Sequence, residues 1–119
     1  MKPTEKIAAL RGKLSPVMDL RAAAAVLHWD QECLMPSKGA EARGRQLATL
    51  SALAHRSFTD DAIGGLLGEL EAAAESLSDA EAALVSVVRY DFERATKLPE
   101  DFVERLALET SKAYDIWVR

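Results

Sequence analysis

Apolar residues recur along this chain at three- and four-residue spacing, and no segment alternates with period two, so the pattern is that of helices packed on helices. Ile7, Leu10, Leu14 and Val17 mark one face of a first helix, which Thr4 is placed to cap. The spacing carries on across Ser15-Pro16. There the missing N–H of proline predicts a kink, or a fresh start with Ser15 as cap and Pro16 in the first helical position, rather than an unbroken rod. Beyond it lies an alanine-rich apolar run, Ala22 to Leu27, well suited to a buried helix because alanine loses no side-chain entropy there. Pro36 biases Met35 away from helical angles, which ends this helix near Leu34, and Ser37, Lys38 and Gly39 form the turn.

The second helix runs from Ala40 to Ser57, with Glu41 in its first turn, where a negative charge suits the helix dipole. Leu47, Leu50 and Ala54 share a face that Phe58 extends. Thr59, Asp60 and Asp61 open a third helix carrying Ile63, Leu66, Leu67, Leu70 and Ala74. Gly64, Gly65 and Gly68 each cost it up to about 1 kcal/mol relative to alanine. Ser78 and Glu81 have the spacing of a capping box, and Leu84, Val87, Val88, Phe92 and Ala95 continue that helix to about Lys97. Pro99, Glu100 and Asp101 open the last helix, with Val103, Leu106, Thr110, Ala113 and Trp117 as its stripe. The expectation is an all-α bundle of about five largely antiparallel helices in a single domain. Its corners fall at Pro36 to Gly39, near Phe58 to Asp61, at Leu77 to Ser78 and at Leu98 to Pro99.

Composition adjusts this picture. Hydrophobic residues make up 49% of the chain and aromatics 6%, so the core is built from Ala, Leu and Val, whose small faces let helices approach closely. A net charge of -4 from interspersed acids and bases argues against nucleic-acid binding. The lone Cys33 forms no internal disulfide, and there is neither a signal-peptide pattern nor an apolar run near membrane-spanning length. These features predict a soluble cytoplasmic protein with no membrane partner.

Little of the sequence carries chemistry by itself. His28 and His55 fall on different helices and lack the spacing of a metal site, so both are read as structural or surface residues. Asp30 and Glu32 are two apart on a helix and point to different sides, which disfavours an acid–base pair. The simpler reading is a helix end with solvated acids and a packed Trp29, with Arg43 bridging the corner to Asp30 or Glu32. Cys33 reads as a small buried hydrophobe. Tyr90, Tyr114 and Trp117 read as core or interface residues.

The corner does carry a signature. Trp29, Asp30, Gln31 and Glu32, then Met35, Pro36, Gly39, Ala40, Glu41, Ala42 and Arg43, together with the segment Gln46 to His55, resemble the amino-terminal region of the M32 metallocarboxypeptidases, the carboxypeptidase Taq family. Thr96 to Glu100, including Pro99, and Trp117 resemble later parts of the same region. The resemblance implies a zinc-dependent enzyme that removes single residues from peptide carboxyl termini, in which these first helices shape or cover the substrate groove. Its zinc site, His-Glu-x-x-His with a further acidic ligand, does not occur in this chain. The chain alone is therefore expected to bind no metal and to be inactive, its motif residues serving structure. The alternative is a stand-alone helical module for partner binding or self-association. The expected partners are the catalytic part or a second copy, with Val103, Leu106, Ala113, Ile116 and Trp117 as the interface, and peptide substrate enters only with the full-length enzyme.

Overall fold

The computed structural model describes residues 1–118 and is all-α: α1 (Pro3–Cys33), α2 (Ala40–Phe58), α3 (Asp61–Ala72), α4 (Asp79–Thr96) and α5 (Glu100–Trp117). Short 3₁₀ turns, Ser37–Gly39 and Ala74–Ser76, precede α2 and follow α3. Among the described residues no strand occurs, and no helix is long and apolar enough to cross a membrane.

The helix ends follow the local chemistry, with two corrections. Asp60 caps α3 by accepting from the Ala62 N–H at 2.9 Å. Ser78 and Glu81 form the reciprocal capping box of α4, at 3.2 and 2.9 Å. At the amino terminus, however, Lys2 rather than Thr4 occupies the cap position, with Pro3 first in the helix and the Lys2 N–H donating to Glu5 Oε2 at 3.0 Å. Of the two readings at Ser15-Pro16, the fresh start is excluded, since α1 runs through Pro16 as one element. Burial explains this. Gly12, whose carbonyl loses its partner to Pro16, lies with Pro16 on the exposed side, while Leu10 and Val17 are fully buried on the other and hold the helix to its neighbours.

At 1.5 Å per residue α1 is about 46 Å long and spans two packing regions. Its first half joins α3 and α4 around Ile7, Leu10, Val17, Phe58, Ile63, Leu67, Leu70, Val85 and Val88. Its second half packs on α2, which packs on α5 in turn. Paired contacts give the directions. Asp30–Arg43 and Arg21 over the Phe58 ring run α1 against α2, while Gly44–Ser111 and Arg56–Glu100 run α2 against α5. Glu71–Arg89 and Gly64–Phe92 run α3 against α4.

α5 shows the largest departure from the sequence pattern. Ser111 is buried against α2, and Val103, Ala107, Leu108 and Tyr114 are half-buried, whereas Leu106, Thr110, Ala113 and Trp117 lie outward. Of the expected stripe only Val103 belongs to the packed face. The other side of this interface explains the choice. α2 presents Gly44, Ala48 and Ala52 every fourth residue, a ridge of small side chains that a serine and an alanine can approach closely and a tryptophan cannot.

Candidate functional site

The motif-bearing corner is a polar junction between α1, α2 and α5. Leu34 and Met35 both donate their N–H to the Asp30 carbonyl, which closes the end of α1 before Pro36 turns the chain. A Cβ on Gly39 would lie 3.3 Å from Met35 Cγ, so glycine there leaves room for the methionine to fold over the turn.

Arg43, most of whose side chain is buried, ties the two helices together. It donates from Nη2 to Asp30 Oδ2 at 2.9 Å, from Nη1 to the Leu27 carbonyl at 2.7 Å and from Nε to Gln46 Oε1 at 3.3 Å. One guanidinium thus satisfies a carboxylate and a carbonyl near the helix end, a geometry that lysine's single ammonium does not reproduce. Glu32 is exposed.

Gln31 completes the junction by donating from Nε2 to Ser111 Oγ at 2.7 Å, both side chains being buried. Beside them a Cβ on Gly44 would lie 3.3 Å from Ser111 Oγ and 3.5 Å from Leu108 Cδ1. Ser111 and Gly44 were not singled out in the sequence. Gln31 and Ser111 stand 80 residues apart, and no local spacing links them. An open cleft of about 620 Å³ lies next to this junction, between the start of α2 and the end of α5, with Lys38, Glu41, Arg45, Lys112 and Asp115 among its lining.

Two other expectations at the corner fail. Trp29 is 61% exposed and Cys33 is exposed, because the buried side of α1 here is the one carrying Leu27, Asp30 and Gln31. The remaining motif residues lie apart. Pro36 is exposed in the turn, Pro99 occupies the cap position of α5, and Trp117 is outward at its end.

The histidines do not converge. His55 Nε2 meets the Leu98 carbonyl at 2.8 Å and so fastens the end of α2 to the α4–α5 corner, whereas His28 is exposed on α1. Near His55, Arg56 pairs with Glu100; hydrogen bonding to Arg56 is the main cause holding the Glu100 carboxyl below its ordinary range, opposed by desolvation and aided further by the Arg56 charge. Among the described residues no group of three or more His, Cys, Asp or Glu side chains is placed to hold a metal ion, so the residues present do not fit a metal centre. The bonds of the corner clamp α1 to α2 and α5.

Comparison with known proteins accounts for the signature. The chain is 40% identical over 96 residues to thermostable carboxypeptidase 1 of Thermus thermophilus, a match covering 78% of this chain and 19% of that protein. It is 27% identical over 95 residues to carboxypeptidase 1 of Bacillus subtilis, covering 80% and 19% respectively. The chain therefore spans about a fifth of the length of the curated relatives it matches. No solved structure matches it significantly. The sequence model of the carboxypeptidase Taq (M32) metallopeptidases matches residues 9–119, taking in most of α1, the corner, the four later helices and Trp117, and by that match the chain belongs to this family.

Proposed function

We propose that this chain is the amino-terminal helical wall of a metal-dependent carboxypeptidase, shaping or covering the groove from which C-terminal residues are released and contributing no reacting group itself. The observation that carries the reading is how the corner uses its residues. Asp30, Gln31 and Arg43 are spent on bonds within the chain, to Arg43, Ser111 and the Leu27 carbonyl, so this part of the signature maintains a shape. Trp29 and Trp117, by contrast, stand outward, 61% and 86% exposed, as suits residues of a wall whose neighbours lie elsewhere in a longer enzyme. The zinc and the peptide substrate belong, in this reading, to the part of the enzyme that the matched fifth does not include. The alternative role as a self-associating module draws support from the outward face of α5, where Leu106, Ile116 and Trp117 are exposed.

A chimera tests the proposal. This chain replaces the matching segment of the Thermus thermophilus enzyme, and release of C-terminal amino acids from a peptide is measured. Retained release is expected from the chimera, and none from the 119-residue chain alone with or without added zinc. Release by the isolated chain, or a folded, metal-loaded chimera without activity, would overturn the wall assignment.

A further inference from the structure

The second half of α1 is apolar on two opposite sides, and the chain covers one of them. Leu20, Ala24, Leu27 and Gln31 lie on the side packed against α2, and none of them is exposed. Met18, Ala22, Ala25 and Trp29, spaced 4-3-4 with Val26 beside them, lie about 180° around the helix and are all exposed, Met18 59%, Val26 64% and Trp29 61%. No Asp, Glu, Lys or Arg occurs from Ala22 to Trp29. The other four helices divide into a polar and an apolar side, whereas α1 shows almost no such division. A helix apolar all round belongs either in a membrane or in the interior of a larger protein. α1 is not apolar enough along its length to cross a membrane, which leaves the interior.

We propose, on the basis of the wall reading above, that this alanine face is covered by a helix from the part of the longer enzyme that follows α5, carrying branched or aromatic apolar side chains against Ala22 and Ala25. Length supplies the occupant: the matched segment is 19% of the Thermus thermophilus relative, so about four-fifths of such an enzyme lies outside it. Position brings it to this face. Ser111 of α5 bonds Gln31 of α1 at 2.7 Å, so α5 ends beside the end of α1, and a chain running on from Trp117 starts near the Trp29 end of the face. From Met18 to Trp29 is about 17 Å along the axis, three turns of a partner helix. The alanines let that helix approach to about 8 Å between axes, with Met18 and Trp29 closing the two ends of the contact. Asp19, Arg21 and Glu32 flank the face with both signs of charge, the polar rim of a protein contact rather than the basic border of a membrane-surface helix.

The fold leaves surface to be covered. The chain exposes 7740 Å², about 1400 Å² more than the roughly 6300 Å² expected of a folded chain of 13.0 kDa. Its Cα extents of 55 × 25 × 18 Å are those of a slab about two helices thick, in which one side of α1 stays open along its length.

The chimera with the Thermus thermophilus enzyme carries the test. With Ala25→Cys, maleimide labelling of residue 25, read by peptide mass, is expected to be slower on the order of a hundredfold in the folded chimera than in the same chimera unfolded in urea. Ala22→Cys takes its place should Ala25→Cys fail to fold. With p-benzoylphenylalanine at position 29, irradiation is expected to cross-link the chain to itself, at a peptide beyond residue 119. Labelling of the folded chimera as fast as of the unfolded one, absence of the internal cross-link, or a cross-link to a second chain would overturn the proposal. The wall reading fails separately: an active chimera with residue 25 freely labelled sinks the covered face alone, and a folded, metal-loaded, inactive chimera with residue 25 protected sinks the wall alone.

Discussion

The two ends of this molecule are held by different physics. Around α3 and α4 the interior is branched and aromatic: Leu10, Ile63, Leu67 and Leu70 are fully buried, and Phe92 meets the Phe58 ring edge-on with centroids 6.1 Å apart. Around α2 and α5 the helices approach on Gly44, Ala48, Ala52 and Ser111, and the contact is tied by Arg43 and Gln31. Apolar burial is non-directional and proportional to area, so the first end tolerates changes of register but not loss of volume. Hydrogen bonds demand fixed geometry and contribute little net area, so the second end holds one arrangement of helices. The family signature lies at the second end, where orientation rather than bulk is being specified.

The largest test of this contrast is Leu67→Ala at the apolar end. With its side chain fully buried, the expected loss is about 3 kcal/mol, read by urea unfolding; a loss below about 1 kcal/mol would mean this end collapses around the cavity and does not anchor the fold. At the polar end, Arg43→Ala leaves Asp30 and the Leu27 carbonyl without their partner and is expected to cost about 2 kcal/mol. Arg43→Lys should recover only part of it, because an ammonium cannot reach both acceptors in the same geometry. Full recovery by lysine would show that charge alone matters at the corner.

Smaller effects separate the glycines of α3. Space around Gly65 and Gly68 is open, so alanine at either should stabilise by roughly 0.5–1 kcal/mol. At Gly64 a Cβ would lie 3.0 Å from Phe92 Cζ, and Gly64→Ala should show less of that gain, or a loss, as the ring is pushed aside. Thermal melts of the three variants rank them, and equal gains would mean the ring is free to move.

The smallest expected effect is acid sensitivity. Glu81, through bonds with the Ser78 backbone and hydroxyl, and Glu100, through Arg56, have carboxyls held below the ordinary value of 4.5. A carboxyl with a depressed folded-state pKa adds stability above its unfolded value, and that stability is lost as pH falls through the depressed one. A modest decline in melting temperature is therefore expected as pH drops below about 4.5, shallower in Arg56→Ala and weakened by salt, since these groups are exposed. An unchanged acid limb in Arg56→Ala would assign the effect elsewhere.

Much of the fold is legible in the sequence because its signals are local. The three- and four-residue spacing, Asp60, the Ser78–Glu81 box, and the prolines at 36 and 99 place helices and corners through interactions within a few residues. The Arg43–Asp30 pair was within reach of the same reasoning, since the corner between them brings their helix ends together. Even α3, weakened locally by three glycines, is recovered by its packing, because Ile63, Leu67 and Leu70 gain more by burial than the glycines cost.

Tertiary structure decided which side of each helix faces inward. Trp29 and Cys33 sit outside although their residue types suggest burial, because the bonds of Asp30 to Arg43 and Gln31 to Ser111 set the rotation of α1 at its end. α5 turns a serine and an alanine toward α2 and leaves its tryptophan out, because the small-residue ridge of α2 rewards close approach. Pro16 stays within a continuous helix because the carbonyl it orphans lies on the side that water reaches. Each of these outcomes depends on a partner distant in the chain. Local sequence determines that a helix forms and where it ends; its rotation is a comparison among surfaces that exist only once the helices have met.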